Sequence, residues 1–521
     1  MALRDPPTYL RRAEQVDVLL LLEGTFPYVA GGVSSWVNQI IRGFPEITFG
    51  GIFIGSRRSD YKEVKYTLPD NLAHLECHYL HERISEDKQP APLEGDAAAF
   101  ETSDRLHDCF RAARSSDADS SRGEILAALT AVLPQLRDDG PLSQQVFLHS
   151  AQSWRTVSDN YRARCTDPSF TDYFWTVRIM HSPLWQLLAI ADAAPRCRAL
   201  HSISTGYAGF LGVLINRLQK RPLLLTEHGI YTKERKIDLF QSNWIRDNRG
   251  VFERRGGQVA YFKDLWIRFF EALGRSTYQA ARHVVALYEA NRERQIADGA
   301  PRAKTRSIPN GVDVPKFAVL REARPAEPPP VMCLIGRVVP IKDVKTFIRA
   351  TRGVVTKLPQ AQAWIAGPED EDAEYARECR LIVDSLGLAE HVKFLGFQQM
   401  TELLPKVGLV VLSSISEALP LVVLEGFAAG VPCVTTDVGS CRQLIFGAGA
   451  EDEAIGAAGD VVRIADPQGL ADACVRLLGD RARWESASKA GIARVERFYT
   501  QPMMFDAYRA LYRDVIDAAD E

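Results

Sequence analysis

The chain has 521 residues, 46% of them hydrophobic, which at about 100–200 residues per domain excludes a single small domain and allows large cores. Its net charge of −3 excludes a general electrostatic pull towards nucleic acid or an anionic membrane. Nine cysteines without a C-x-x-C pair argue against a disulfide framework or a zinc site and read as reduced thiols.

Met1 to Gln15 is polar and charged. The apolar run after it, Val18 to Leu22, is too short for a secretory h-region or a membrane span. A soluble, cytoplasmic protein is expected. Residues 17–23 read as a strand buried on both faces. A Gly- and Pro-rich turn follows and ends in Gly31-Gly32. Val33, Trp36, Val37, Ile40, Ile41 and Phe44 then recur at helical spacing. Strand, glycine turn and helix make the first unit of a doubly wound sheet. The turn is not G-x-G-x-x-G, so a dinucleotide fingerprint is absent. The glycine pair still permits close approach to the backbone.

Strands are expected at 48–54 and 72–80. Residues 84–120 are polar and read as an inserted loop-and-helix region. Residues 123–136 and 171–190 read as amphipathic helices, whose Phe174, Trp175, Trp185 and Leu187 are assigned to core or lid. Alternation resumes with a strand at 198–203, a helix at 207–219 and a strand at 222–227 that runs into His228. Ligands of open α/β sheets bind past the carboxyl ends of strands, so His228 is a site candidate; a structural histidine is the plainer reading. Lys233, Arg235, Lys236, Arg246, Arg249, Arg254 and Arg255 lie among acids and aromatics, which suits a salt-bridged surface; an acceptor-facing lid is the alternative. A helix at 258–281, a strand at 283–287 and a helix at 288–298 complete the first half. Pro325, Pro328, Pro329 and Pro330 mark a boundary.

The second half is more regular. Strands read at 331–335, 361–366, 391–395, 408–412, 432–435 and 460–464. Helices read at 343–357, 372–386, 400–406, 420–429, 440–446 and 467–478. Such β/α repeats imply a parallel sheet covered on both faces. Helices at 481–498 and 501–518 form the tail, the last with an apolar stripe of Met504, Tyr508, Leu511 and Tyr512.

Two turns in this half carry the chemistry. Gly336 to Asp343 follows a strand and opens a helix, placing Arg337 and Lys342 at the sheet's ligand edge. A guanidinium that grips two oxygens and a compact ammonium suit a diphosphate. Ser416 to Gly426 follows strand 408–412, with Pro420 in the first helical turn. Glu417 precedes that helix and Glu425 lies on its second turn. Free amides at a helix start make an anion site. An acid on each side of it suits a ligand with phosphates in the middle and hydroxyls at both ends, the shape of a nucleotide-sugar. The run Glu369-Asp370-Glu371-Asp372 is read as acids at a helix start, not as a metal site.

Gly336-Arg337 with Lys342, the E-x7-E spacing of Glu417 and Glu425, Pro309 to Asp313, and Gly31-Gly32 stand in an order that resembles the family 4 glycosyltransferases. Glu23 to Tyr28 with Gly31 to Ser34, His201 to Tyr207, and Thr226 to Tyr231 are similar to the subgroup of Pel exopolysaccharide synthesis in bacterial biofilms. The resemblance implies a retaining GT-B enzyme: an α/β protein of two Rossmann-like doubly wound domains facing a central cleft, with a C-terminal helix crossing back. Domains are expected at 1–318 with a helical insertion at about 84–195, at 331–498, and as a returning helix at 499–521. The implied roles are Arg337 and Lys342 on the diphosphate, Glu425 on the ribose, and Glu417 on the donor sugar with the amides of Leu419, Leu421 and Val422. Phe397 falls by the base, Gly31 and Gly32 approach the phosphates, and His228 lies by the reacting sugar. The donor is expected to be a UDP-sugar, with no metal or other cofactor. The acceptor would be a growing polysaccharide or a lipid, the partners inner-membrane Pel synthase components, and nucleic acid no partner. Peripheral association with the inner membrane is implied. A nucleotide-sugar epimerase of the same fold, or a non-catalytic scaffold of a polysaccharide synthase, are the alternatives.

Overall fold

A computed structural model describes residues 7–80, 93–112, 124–242, 244–249, 259–325 and 327–518. Arg254 and Arg255 of the expected lid, and parts of the polar region 84–120, lie outside these. The chain divides into two compact units: residues 1–307 with 508–521, and residues 308–507.

The first unit holds an eight-stranded sheet. Its strands are β1 (Thr8–Arg11), β2 (Gln15–Glu23), β3 (Phe49–Gly55), β4 (Leu72–Tyr79), β5 (Arg196–Ser202), β6 (Leu223–Glu227), β7 (Ala281–Ala286) and β8 (Thr305–Ser307). The order is β1-β4-β3-β2-β5-β6-β7-β8. Only β1 runs antiparallel, against β4. Val18 to Leu22 of β2 are all buried because helices cover both faces of a parallel sheet.

The region between β4 and β5 is more helical than its composition suggested. Helices cover Ala97–Ala112, Glu124–Val132, Gln144–His149, Ala151–Arg164, Phe170–His181 and Pro183–Ala193. The expected single helix at 171–190 is two, since Pro183 has no N–H and starts a new helix. Trp185 and Leu187 are buried, whereas Trp175 is 54% exposed and is not core. These helices and those over the sheet, Tyr207–Gln219 and Tyr261–Ala280, surround a cavity of about 760 Å³.

The second unit holds β9 (Val331–Ile335), β10 (Gln362–Ala366), β11 (Val392–Gly396), β12 (Leu409–Leu412), β13 (Cys433–Thr436) and β14 (Gly459–Val462). They pair in parallel in the order β11-β10-β9-β12-β13-β14. Ile308 to Ala318 belong to this unit, so the division lies ahead of the proline run. Val312 exchanges backbone hydrogen bonds with Tyr499 and Gln501 here. The last helix, Gln501–Asp517, serves both units. In the first unit Tyr512 hydroxyl meets His201 Nδ1 at 2.8 Å and Tyr508 hydroxyl meets Thr226 at 3.1 Å.

Arg494 closes the second unit. Its guanidinium is fully buried and meets Asp452 Oδ1 at 2.5 Å. It also donates to the carbonyls of Ile445, Asp452 and Gly456, each at 2.9 Å. Removing one partner of such a pair strands the other charge away from water. Arg494→Met should therefore lower stability by about 3–5 kcal/mol, read as an earlier urea unfolding transition than in the parent.

Candidate functional site

In the second sheet the strand order reverses between β9 and β12. Connections leave these neighbours towards opposite faces, which opens a crevice at their carboxyl ends. The Arg337–Lys342 turn follows β9 and the Glu417 turn follows β12. Ser413 Oγ joins them by donating to the carbonyls of Lys342 and Asp343, at 2.9 and 3.0 Å. Ile415 N donates to Ile341 O at 2.8 Å. Lys342 Nζ meets Glu417 Oε1 at 2.5 Å, and Ser414 Oγ donates to the same oxygen at 2.7 Å.

Local backbone choices hold this contact. Asp343 is left-handed at φ 44 and ψ 51, a conformation its short carboxylate tolerates. It caps the following helix by accepting from Thr346 N at 3.3 Å. Gly439 is at φ 53, and a Cβ there would fall 2.3 Å from Glu417 O. The loop after β13 can brace the Glu417 turn only without a side chain. Ser440 N completes that brace by donating to Ala418 O at 2.8 Å.

The next helix spans Leu421–Ala428. Pro420 is its cap and does not enter the first turn, because its ψ of 111 is extended. No side chain caps this helix, so the amides of Leu421 and Val422 are left for another acceptor. Glu425 lies just over one turn in. Burial pushes its carboxyl up to about 7, against the pull of Lys316. Leu419 is buried beside the turn.

Arg337 is held by Glu371, whose two oxygens lie 2.5 and 2.6 Å from one guanidinium nitrogen. This corrects the reading of the acidic run as a plain helix start. Only Asp372 caps, accepting from Tyr375 N at 2.9 Å, while Glu369 pairs with Arg380. Phe397 follows β11 and is 74% exposed.

The first unit presents its own residues. Cβ atoms at Gly31 or Gly32 would meet nothing within 4 Å. His228 follows β6, is buried, and stands edge-on to Trp36 at 4.7 Å. Burial drops its pKa to about 3, so the ring is neutral at pH 7. Its Nε2 has no partner among the described residues. Two carboxylates nearby in sequence were not singled out. Glu227 accepts from Tyr278 hydroxyl (2.7 Å), Tyr231 N (3.0 Å), Thr205 Oγ1 (3.1 Å) and Gln295 Nε2 (3.1 Å). Glu23 accepts from Tyr231 hydroxyl at 2.8 Å and Ala208 N at 3.0 Å. The available signal was an acid ending each buried strand. Tyr231 itself opens a helix, Tyr231–Gln241, within the stretch read as a salt-bridged surface.

Among the described residues, no group of three or more His, Cys, Asp or Glu could hold a metal ion. No helix there is long and apolar enough to cross a membrane.

Residues 16–303 match the family described as Domain of unknown function (DUF3492), more than half of the chain. The chain belongs to that family. Residues 329–480 match Glycosyl transferases group 1. A D-inositol 3-phosphate glycosyltransferase of Nocardia farcinica is 26% identical over 250 residues, covering 45% of this chain and 51% of that protein. The lipopolysaccharide core biosynthesis glycosyltransferase LpsE of Rhizobium meliloti is 27% identical over 221 residues, covering 42% and 60%. The chain thus spans about half the length of the curated relatives it matches. The crystal structure of Anabaena Alr3699/HepE in complex with UDP and glucose superposes with a TM-score of 0.58 at 15% identity, covering 96% of this chain and 100% of that one. Sucrose-phosphate synthase of Thermosynechococcus elongatus gives 0.55 at 16%, covering 96% and 100%. The fold is therefore GT-B, with two Rossmann-like parallel-sheet domains, as expected.

The raised Glu425 pKa has a consequence for stability. The unfolded carboxyl titrates near its ordinary value of 4.5, the folded one near 7. Between these the folded chain keeps a proton that the unfolded chain has lost, so rising pH through this window destabilises the fold. Glu425→Gln has no such titration. Its stability should gain on the parent as pH rises from about 5 to 8, by on the order of 2 kcal/mol, read as a widening difference in thermal midpoint across that range.

Proposed function

We propose that this protein is a retaining glycosyltransferase that moves a hexosyl group from a UDP-sugar to a hydroxyl of a polysaccharide or lipid acceptor. The observation that carries the reading is the convergence of Lys342 and Glu417 at the β9–β12 reversal, beside Arg337 and an uncapped helix start. The group 1 match over 329–480 supports it, as do relatives described as glycosyltransferases. UDP is chosen because a solved structure of this fold is described with UDP and glucose.

In the reaction, the bond from the anomeric carbon to the diphosphate breaks and a bond to the acceptor oxygen forms. Negative charge gathers on the departing diphosphate, which takes up the acceptor hydroxyl's proton. Lys342 and Arg337 stabilise that charge, and the amides of Leu421 and Val422 add to it. Donors fixed in advance contribute most to such catalysis because they need not reorganise. Arg337, paired with Glu371 through one guanidinium nitrogen, would exchange that carboxylate for the diphosphate when the donor binds. Glu417, held by Lys342 and Ser414, is assigned to the donor sugar, Glu425 to the ribose and Phe397 to the base. Leu419 supplies a further amide. Gly31, Gly32 and His228 receive their phosphate and sugar roles in the same reading. The neutral ring of His228 is an acceptor or donor without a charge cost.

The finer assignment is to Pel exopolysaccharide synthesis, where the segments at 23–34, 201–207 and 226–231 resemble PelF. A cytoplasmic site and docking to inner-membrane synthase components follow from that assignment. A scaffold that had lost catalysis would not be expected to retain Arg337, Lys342, Glu417 and Glu425 together.

Lys342→Ala and Arg337→Ala should each weaken UDP binding by about tenfold or more in calorimetry, and lower turnover by about 10²–10³-fold. Unchanged UDP affinity in the double variant would refute the assignment. Turnover should also survive EDTA, because two side-chain cations take the place of a metal. A loss of rate restored by magnesium or manganese would reverse that conclusion.

A further inference from the structure

β9 and β10 are parallel neighbours, and the loops that leave their carboxyl ends are tied backbone to backbone. Gly336 N donates to Ala366 O at 2.9 Å and Val338 N to Pro368 O at 3.0 Å. A Cβ at Gly367 would fall 1.9 Å from Gly336 O, so this approach requires a glycine. The seam sets the acidic run 369–372 beside the Arg337 turn. Within that run Asp372 is committed to its helix cap and Glu369 to Arg380. Glu371 is the member that reaches Arg337, its two oxygens lying 2.5 and 2.6 Å from guanidinium Nη1.

Both cations of the crevice therefore face an acid, but the two pairs differ in what it takes to part them. The Lys342 and Glu417 side chains are 23% and 14% exposed, and Ser414 also holds the carboxylate. Parting them would leave two shielded charges without their partners. The Arg337 and Glu371 side chains are 39% and 49% exposed. Water replaces each partner there at little cost, and exposed pairs of this kind hold by a factor of about five at most. Arg337 is thus the cation that opens readily, and Glu371 competes with any anion that would take it.

We propose that Glu371 is a positioning residue that acts through Arg337. It holds the guanidinium at the crevice between turnovers and yields it to the donor's diphosphate. It then reclaims it, which hastens departure of the nucleoside diphosphate product. The inference rests on the reading of Arg337 as a diphosphate ligand and extends that reading to product release. A carboxylate fixed this close is a built-in competitor. Only the fraction of molecules with the pair open is ready to bind, so affinity is lower than the two cations alone would give.

The test is UDP binding to the full chain, with affinity from calorimetry and dissociation from stopped-flow mixing. Both side chains are half-exposed, so their variants keep the fold. Glu371→Gln should bind UDP about fivefold tighter than the parent, with slower dissociation and little change in association. In the Arg337→Ala background the same substitution should change affinity by less than about twofold. A side chain that only supported the loop would not tighten binding when altered. Unchanged or weaker UDP binding by Glu371→Gln would overturn the proposal. A gain of the same size without Arg337 would overturn it too, since that is plain charge repulsion. If the parent binds no UDP, or Arg337→Ala binds it as well as the parent does, the diphosphate reading of Arg337 itself fails and this inference falls with it.

Discussion

The second unit depends on one constraint: β9 and β12 are adjacent in the sheet but their connections run to opposite faces. The loops that leave them must therefore part, and the backbone groups at their roots look into the gap. Ser413 ties the two roots together through the carbonyls of Lys342 and Asp343. With the roots fixed, the Lys342 ammonium and the Glu417 carboxylate have little choice but to meet. An ion pair at a surface contributes little to stability. This one is partly shielded and shares its acceptor with Ser414, so its effect is to orient both side chains. The proposed departure of an anionic leaving group rests on this cation and acid held in register, with uncapped amides nearby.

The first unit solves the matching problem differently. Its strand ends carry acids, Glu23 on β2 and Glu227 on β6, and both are absorbed by hydrogen bonds. Glu227 takes four donors, and burial still pushes its pKa up. Such a network makes the strand ends rigid because each donor lost would leave a buried acceptor unpaired. His228, next in the chain, is left with an unpartnered nitrogen on a rigid mount. The ring neighbours Trp36, which also touches Tyr508 from the C-terminal helix. The far end of the chain thus contributes to the packing behind this histidine.

The helical layer between β4 and β5 shows where composition misleads. Residues 97–112 are polar overall because the helix buries a narrow stripe, Ala99, Phe100, Ser103 and Leu106, and exposes the rest. Its packing leaves a cavity that no local pattern announces, since the lining comes from helices far apart in the chain. The His107–His181 pair is separated by 74 residues. The partners of Arg337 were hidden for the same reason: Glu371 lies in a run of acids in which any member could have paired or capped.

Sequence by itself determined the α/β class, the β/α alternation of the second half, the placing of Arg337, Lys342 and Glu417 on turns after strands, and that of Glu425 on the helix that follows. These follow from short-range physics: apolar runs of strand length, helical periodicity, and the special backbone preferences of Gly and Pro. Pro420 shows the limit, since a residue suited to a first turn and to a cap is told apart only by its torsion angles. Tertiary structure alone decided that β9 and β12 are neighbours, that Lys342 touches Glu417, that Glu371 holds Arg337, and that a hollow lies among the inserted helices. Each joins residues whose separation along the chain carries no periodic signal. Burial, which set the Glu425 and His228 pKa values, is a property of everything packed around a group and is fixed only when the whole chain has folded.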